Sequence, residues 1–144
     1  MSILAIDVGA VRVGVASSDE TETIASPLVT LERKRPDKLW QRIGDEIAGR
    51  QIATVVVGLP KKLDGSEGPS AAAAREFAGQ VQQRFNVGVE FWDERFTSAA
   101  AERALVSADV RRAKRRQITD EVAACLILQD WLDARSNRIQ RSQA

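Results

Sequence analysis

The chain has 144 residues, with 21 Lys and Arg against 20 Asp and Glu, so net charge alone singles out no partner. That length suits one domain whose core is deep enough to need neither disulfides nor a structural metal. The absence of histidine excludes His-based triads, His-ligated zinc and imidazole acid–base chemistry, and the lone Cys125 excludes an internal disulfide or a thiolate zinc site. Any catalysis must therefore come from carboxylates, Lys and Arg, hydroxyls or a bound hard cation.

Residues 2–8 (SILAIDV) form an apolar run interrupted by Asp7 and followed by Gly9, which predicts a strand. Val11, Val13 and Val15 then alternate with other residues, the pattern of a half-buried strand pairing back as a hairpin. Residues 24–31 (IASPLVTL) read as a third strand, with Pro27 demanding a bend or an edge position. Pro36 opens a helix to about Arg50, because Leu39, Trp40, Ile43 and Ile47 recur at spacings of three and four. Residues 53–59 (ATVVVGL) are a β-branched run, as expected of a strand buried on both faces.

A polar, glycine-rich loop occupies 60–68, and Pro69 starts a second helix with Ala74, Phe77, Ala78, Val81 and Phe85 inward. Residues 87–92 read as a fifth strand ending at Asp93-Glu94-Arg95. A helix is expected from about Thr97, carrying Ala101, Ala104 and Leu105, and a last one from about Thr119 to Ala134. The order predicts an antiparallel meander continued by parallel strands: a mixed five-stranded sheet flanked by helices, compatible with a ribonuclease-H-like α/β fold. One domain over 1–135 and a frayed polar tail over 136–144 complete the expectation. No stretch approaches the roughly 18 apolar residues that span a bilayer. The opening MSILAIDVG lacks a basic leader pattern, so a cytoplasmic protein without membrane contact is expected.

Acids stand at three places along the chain where a carboxylate is costly or awkward. Asp7 lies inside an apolar strand, where an unpaired charge is disfavoured. Asp93 and Glu94 close a strand that follows a crossover helix, the end of an open α/β sheet at which ligands gather. Asp120 shares a helix face with Ala123, Ala124, Ile127 and Leu128, which aims it at the core. Each has a bland alternative as a turn cap, a solvated acidic pair or a helix N-terminal charge. Brought together, Asp7, Glu94 and Asp120 would repel unless cations held them, and an all-oxygen donor set suits Mg²⁺ or Mn²⁺. Two such ions serve phosphodiester hydrolysis.

Residues 111–116 carry five positive charges in six positions, namely Arg111, Arg112, Lys114, Arg115 and Arg116. They form either a solvated face or a track for a phosphate backbone beside the acids.

Asp7-Val8-Gly9 with Arg12-Val13-Gly14-Val15-Ala16, Val57-Gly58-Leu59-Pro60 with Asp64-Gly65, Asp93-Glu94-Arg95-Phe96-Thr97, and Ile118-Thr119-Asp120-Glu121-Val122-Ala123-Ala124 together resemble the YqgF family, also called RuvX. The resemblance covers nearly the whole chain in order. It implies a ribonuclease-H-like, metal-dependent nuclease with catalytic and metal-binding Asp7, Glu94 and Asp120, and Asp93 as an alternative or auxiliary ligand. It also implies nucleic-acid contacts that include Arg95 and Thr97. The expected substrate is the 5′ end of precursor 16S ribosomal RNA. Alternatives are resolution of four-way DNA junctions, which needs a homodimer rather than a monomer, and a non-catalytic nucleic-acid-binding module.

Overall fold

The computed structural model describes residues 2–96 and 120–143. Strand β1 (Ile3–Val8) pairs antiparallel with β2 (Arg12–Ser18), and β2 pairs antiparallel with β3 (Ala25–Glu32). Helix α1 (Pro36–Arg50) leads to β4 (Thr54–Leu59), and α2 (Pro69–Phe85) leads to β5 (Gly88–Asp93). A 3-10 turn (Glu94–Phe96) follows, and helix α3 (Asp120–Gln143) comes last. The sheet order is β3-β2-β1-β4-β5, with β1, β4 and β5 mutually parallel. The predicted mixed five-stranded sheet is therefore present.

Alternation along the central strands builds two cores. Leu4 and Ile6, Val13 and Val15, and Val55 and Val57 face α1 and α2, where they meet Leu39, Ile43, Ile47, Phe77 and Val81. Ile3, Ala5 and Val56 face the other way, against Ile127, Leu128, Trp131 and Leu132 of α3. Helices α1 and α2 begin and end for local reasons. Pro36 and Pro69 open α1 and α2 at positions where no backbone donor is needed. Gln51 (φ 55°) and Asn86 (φ 53°) close them in left-handed conformations, their N–H groups turned back onto the last carbonyls.

Two expectations change. Strand β2 is not half-buried. Val11 lies before it, 63% exposed in the turn, while Val13 to Ser18 are all buried, because α3 covers the face that simple alternation assigns to solvent. The last helix does not stop near Ala134: α3 continues through Gln143, since no Gly or Pro interrupts residues 135–143. Arg135 anchors the second half of the helix, its guanidinium 5.0 Å from the Trp131 ring and 3.5 Å from Glu22 Oε1. Pro27 sits both on an edge strand and at the bulge between the Val15 and Ala16 pairings, so the two sequence readings coexist. The predicted helix from Thr97, with Ala101, Ala104 and Leu105, lies outside the described residues, as do Thr97 itself and the basic run 111–116. Among the described residues, no helix is long and apolar enough to cross a membrane.

Candidate active site

Because β1, β4 and β5 are parallel, their C-terminal ends share one rim of the sheet. Asp7 stands next to last on β1, in the odd-numbered series with Ile3 and Ala5, and so faces α3. Its neighbour across the β1–β2 pair is Gly14, and continuing the Ile6–Val57 register by one residue sets Gly58 on its other side. Asp7 is thus flanked by two glycines on the face that α3 covers.

Those glycines explain how the site is built. A Cβ on Gly58 would stand 3.0 Å from Glu94 Oε2 and 2.8 Å from Ile127 Cδ1, so its missing side chain is the space that admits the Glu94 carboxylate. A Cβ on Gly14 would overlap the Asp120 carbonyl, so the other notch admits the start of α3. A glycine inside a strand weakens the strand but lets a second backbone approach. Thr30, paired with Gly14, accepts the Glu121 N–H at 3.3 Å and satisfies one of the otherwise unpaired donors of the first helical turn. The sequence shows both glycines; what each makes room for is visible only in three dimensions.

Asp7 and Glu94 are 4% and 5% exposed, and each makes polar contacts within the fold. Burying carboxylates is expensive without compensation, which marks this pair off from the surface acids. Asp120 arrives beside them but turns outward: Arg12 Nε donates to its Oδ2 at 3.2 Å, with the Asp120 side chain about one-third exposed (32%). Ala123, Ala124, Ile127 and Leu128 are all buried, as the helical stripe predicted. Asp93 is engaged by Arg95, which donates from its backbone N–H (3.0 Å), Nε (3.1 Å) and Nη2 (2.7 Å). These hydrogen bonds hold the Asp93 carboxyl below its ordinary range and raise Arg95. Among the described residues, no group of three or more acidic or thiol side chains is gathered closely enough to hold a metal ion. Asp7 and Glu94 are thus buried, while Asp120 is clasped by Arg12, and the three carboxylates do not form one cluster.

Arg12 is a site residue that sequence reading passed over, since its partner lies 108 positions away. Arg33 is another. Its Nη1 donates to Gly9 O at 3.0 Å and its backbone N–H to Val11 O at 2.9 Å, bracing the turn that carries Asp7 into Arg12. Arg95 also reaches the 60–68 loop, with Nη1 3.4 Å from Leu63 O. That engagement makes it a strut from Asp93, the last residue of β5, to the loop.

A family model described as "RuvX: Holliday junction resolvase" matches residues 1–134. A Chloroflexus aggregans protein is 45% identical over 136 residues, covering 94% of this chain and 96% of its own. A Thermoanaerobacter pseudethanolicus protein is 39% identical, with coverage of 96% and 100%. Both relatives are provisionally named pre-16S rRNA nuclease. Among solved structures, the chain resembles Thermus thermophilus RuvC in complex with a Holliday junction substrate, at TM-score 0.59 and 13% identity over 95% of this chain and 96% of that one. It also resembles the fowlpox virus resolvase bound to Holliday junction DNA, at TM-score 0.53 and 11% identity, with coverage of 93% and 98%. At those identities the likeness concerns the fold.

Proposed function

Because the chain belongs to the RuvX family, we propose that it is a divalent-metal-dependent nuclease that hydrolyses phosphodiester bonds in 5′-end maturation of precursor 16S ribosomal RNA. The observation that supports this reading is the burial of Asp7 and Glu94 at one end of the sheet, with the start of α3 and Asp120 seated against the adjoining Gly14. The donor set fits a hard cation: all the acids at the rim offer oxygen, and neither imidazole nor thiolate competes. Asp7, Glu94 and Asp120 would hold Mg²⁺ or Mn²⁺, two ions in the full site, with Asp93 as an auxiliary ligand. Such ions supply an activated water and charge neutralisation at the leaving oxygen.

The chain's own groups do the rest. Hydrolysis adds a water oxygen to phosphorus, breaks one bridging P–O bond and leaves a proton to be taken up. In a chain without histidine that proton falls to a carboxylate. Arg12 offers a guanidinium to a phosphate oxygen at the mouth of the site, its side chain 56% exposed. Arg95 and Thr97, with Arg111, Arg112, Lys114, Arg115 and Arg116 preceding Asp120 in sequence, extend the phosphate contacts. A ribosomal RNA substrate places the work in the cytoplasm.

The test is cleavage of an end-labelled precursor 16S fragment with Mg²⁺ or Mn²⁺, beside Asp120→Asn. Cleavage by the parent and none by the variant supports the reading. The family model's own description favours a second reading, resolution of four-way DNA, which requires a two-fold dimer presenting paired sites. Junction DNA cut in preference to RNA by the same preparation would establish that alternative. Binding that survives loss of all three acids, with no cleavage of either substrate, would leave only a binding module.

A further inference from the structure

The loop at 60–68 leaves β4 at the catalytic rim, and its tip is Leu63, 90% exposed. Single exposed apolar residues are ordinary on protein surfaces. This one differs in how firmly the backbone beneath it is held. Lys61 N–H donates to Leu59 O (3.1 Å), Lys62 N–H to Ser66 O (2.9 Å) and Gly65 N–H to Lys62 O (2.8 Å). Asp64 Oδ1 accepts both the Ser66 N–H (2.9 Å) and the Ser66 hydroxyl (2.6 Å). Gly65 takes φ 90°, a conformation suited to glycine, and Arg95 holds the Leu63 carbonyl from the 3-10 turn after β5. A leucine held in water by so many backbone constraints, directly after two lysines and tied to Arg95, the residue after the buried Glu94, is arranged to meet something both apolar and anionic. A nucleic-acid strand with an unstacked base has both properties.

We infer that residues 60–68 form a substrate-engaging finger: Leu63 packs against an unstacked base next to the bond being cut, and Lys61 and Lys62 hold the adjoining phosphates. Such a wedge confers a preference for nucleic acid with a break in stacking, such as a duplex-to-single-strand boundary, without reading base identity. The inference rests on the nuclease reading and specifies the kind of substrate that site accepts.

The experiment measures binding of an RNA hairpin with a single-stranded extension, carrying 2-aminopurine at the first unpaired position, to protein in which Asp7→Asn blocks cleavage. With Leu63 present, binding should raise 2-aminopurine fluorescence as the base unstacks. Leu63→Ser should weaken binding about tenfold, the scale of one base contact, and abolish the rise. Leu63→Phe should restore both. Lys61→Gln with Lys62→Gln should flatten the salt dependence while keeping the rise. Unchanged affinity and fluorescence in Leu63→Ser would overturn the inference, as would an apolar protein partner lost with Leu63 while RNA binding stays intact. The two readings fail separately. Cleavage by the parent with an indifferent Leu63→Ser removes the finger alone, whereas loss of binding in Leu63→Ser without any cleavage by the parent removes the nuclease alone.

Discussion

The two faces of the sheet are built by opposite rules. Toward α1 and α2, the central strands present the branched aliphatics Leu4, Ile6, Val13, Val15, Val55 and Val57, closed by Leu39, Ile43, Phe77 and Val81. Toward α3, the same strands present Ala5, Asp7, Gly14, Ala16, Val56 and Gly58, where small residues and one acid replace the aliphatics near the rim. The first face is filled for stability; the second is hollowed so that carboxylates and a helix terminus can approach. Substitutions should therefore separate stability from chemistry according to which way a residue points.

The largest stability effect is expected on the filled face. Ile43→Ala should cost about 2–5 kcal/mol, visible as a lower thermal midpoint, with specific activity of the folded fraction unchanged. Activity falling in proportion to far more than the unfolded fraction would show that the faces are not separable. On the hollow side, Asp7→Asn should lower cleavage on the order of a hundredfold or more. Its thermal midpoint should hold or rise, since a buried charge is removed. A midpoint lowered as much as by Ile43→Ala would recast Asp7 as a structural residue.

How much of this was legible beforehand divides along the same line. The filled face announces itself: the Val55-Val56-Val57 run and the three-and-four spacing of Leu39, Ile43 and Ile47 are patterns within single elements. The hollow face is a relation between elements. Asp7, Glu94 and Asp120 could each be suspected from local cost. That Gly58 admits Glu94, that Gly14 admits α3 and that Arg12 clasps Asp120 depend on neighbours 36, 106 and 108 positions apart, which no local periodicity encodes. The half-buried reading of β2 failed for the same reason: alternation cannot report a helix arriving from the far end of the chain.

Gly14→Ala sharpens the contrast further, because it adds one methyl where the Asp120 backbone already lies. The expected cost is about 1–3 kcal/mol, with a loss of cleavage greater than that destabilisation explains, as α3 is displaced from the rim. Arg12→Gln, which frees the Asp120 carboxylate, should tighten Mn²⁺ binding a few-fold by calorimetry while weakening RNA binding. Equal affinity for Mn²⁺ would mean that Arg12 does not compete for Asp120.

The smallest effect lies far from both faces, in the β2–β3 turn. The Thr21 hydroxyl first, then the Thr23 and Ile24 amides, donate to Asp19 and lower its carboxyl to about 2. A depressed carboxyl contributes its stability above the unfolded value of about 3.9 and loses it as pH falls through the folded value. The Thr23 amide resonance should therefore titrate with a midpoint near 2. A midpoint at the ordinary carboxylate value would show the turn open in solution.

The rims of the sheet carry a consequence for how two copies can meet. On β3 the outer edge is broken by Pro27 and the bulge beside it, so it cannot offer a continuous ladder of donors. On β5 the opposite edge displays Glu90, and the Phe91 ring lies under the Arg75 guanidinium at 4.9 Å. Neither rim is a flat apolar template, so runaway strand-on-strand stacking is disfavoured at both. A two-fold assembly able to cut paired strands would then form away from these two sheet edges.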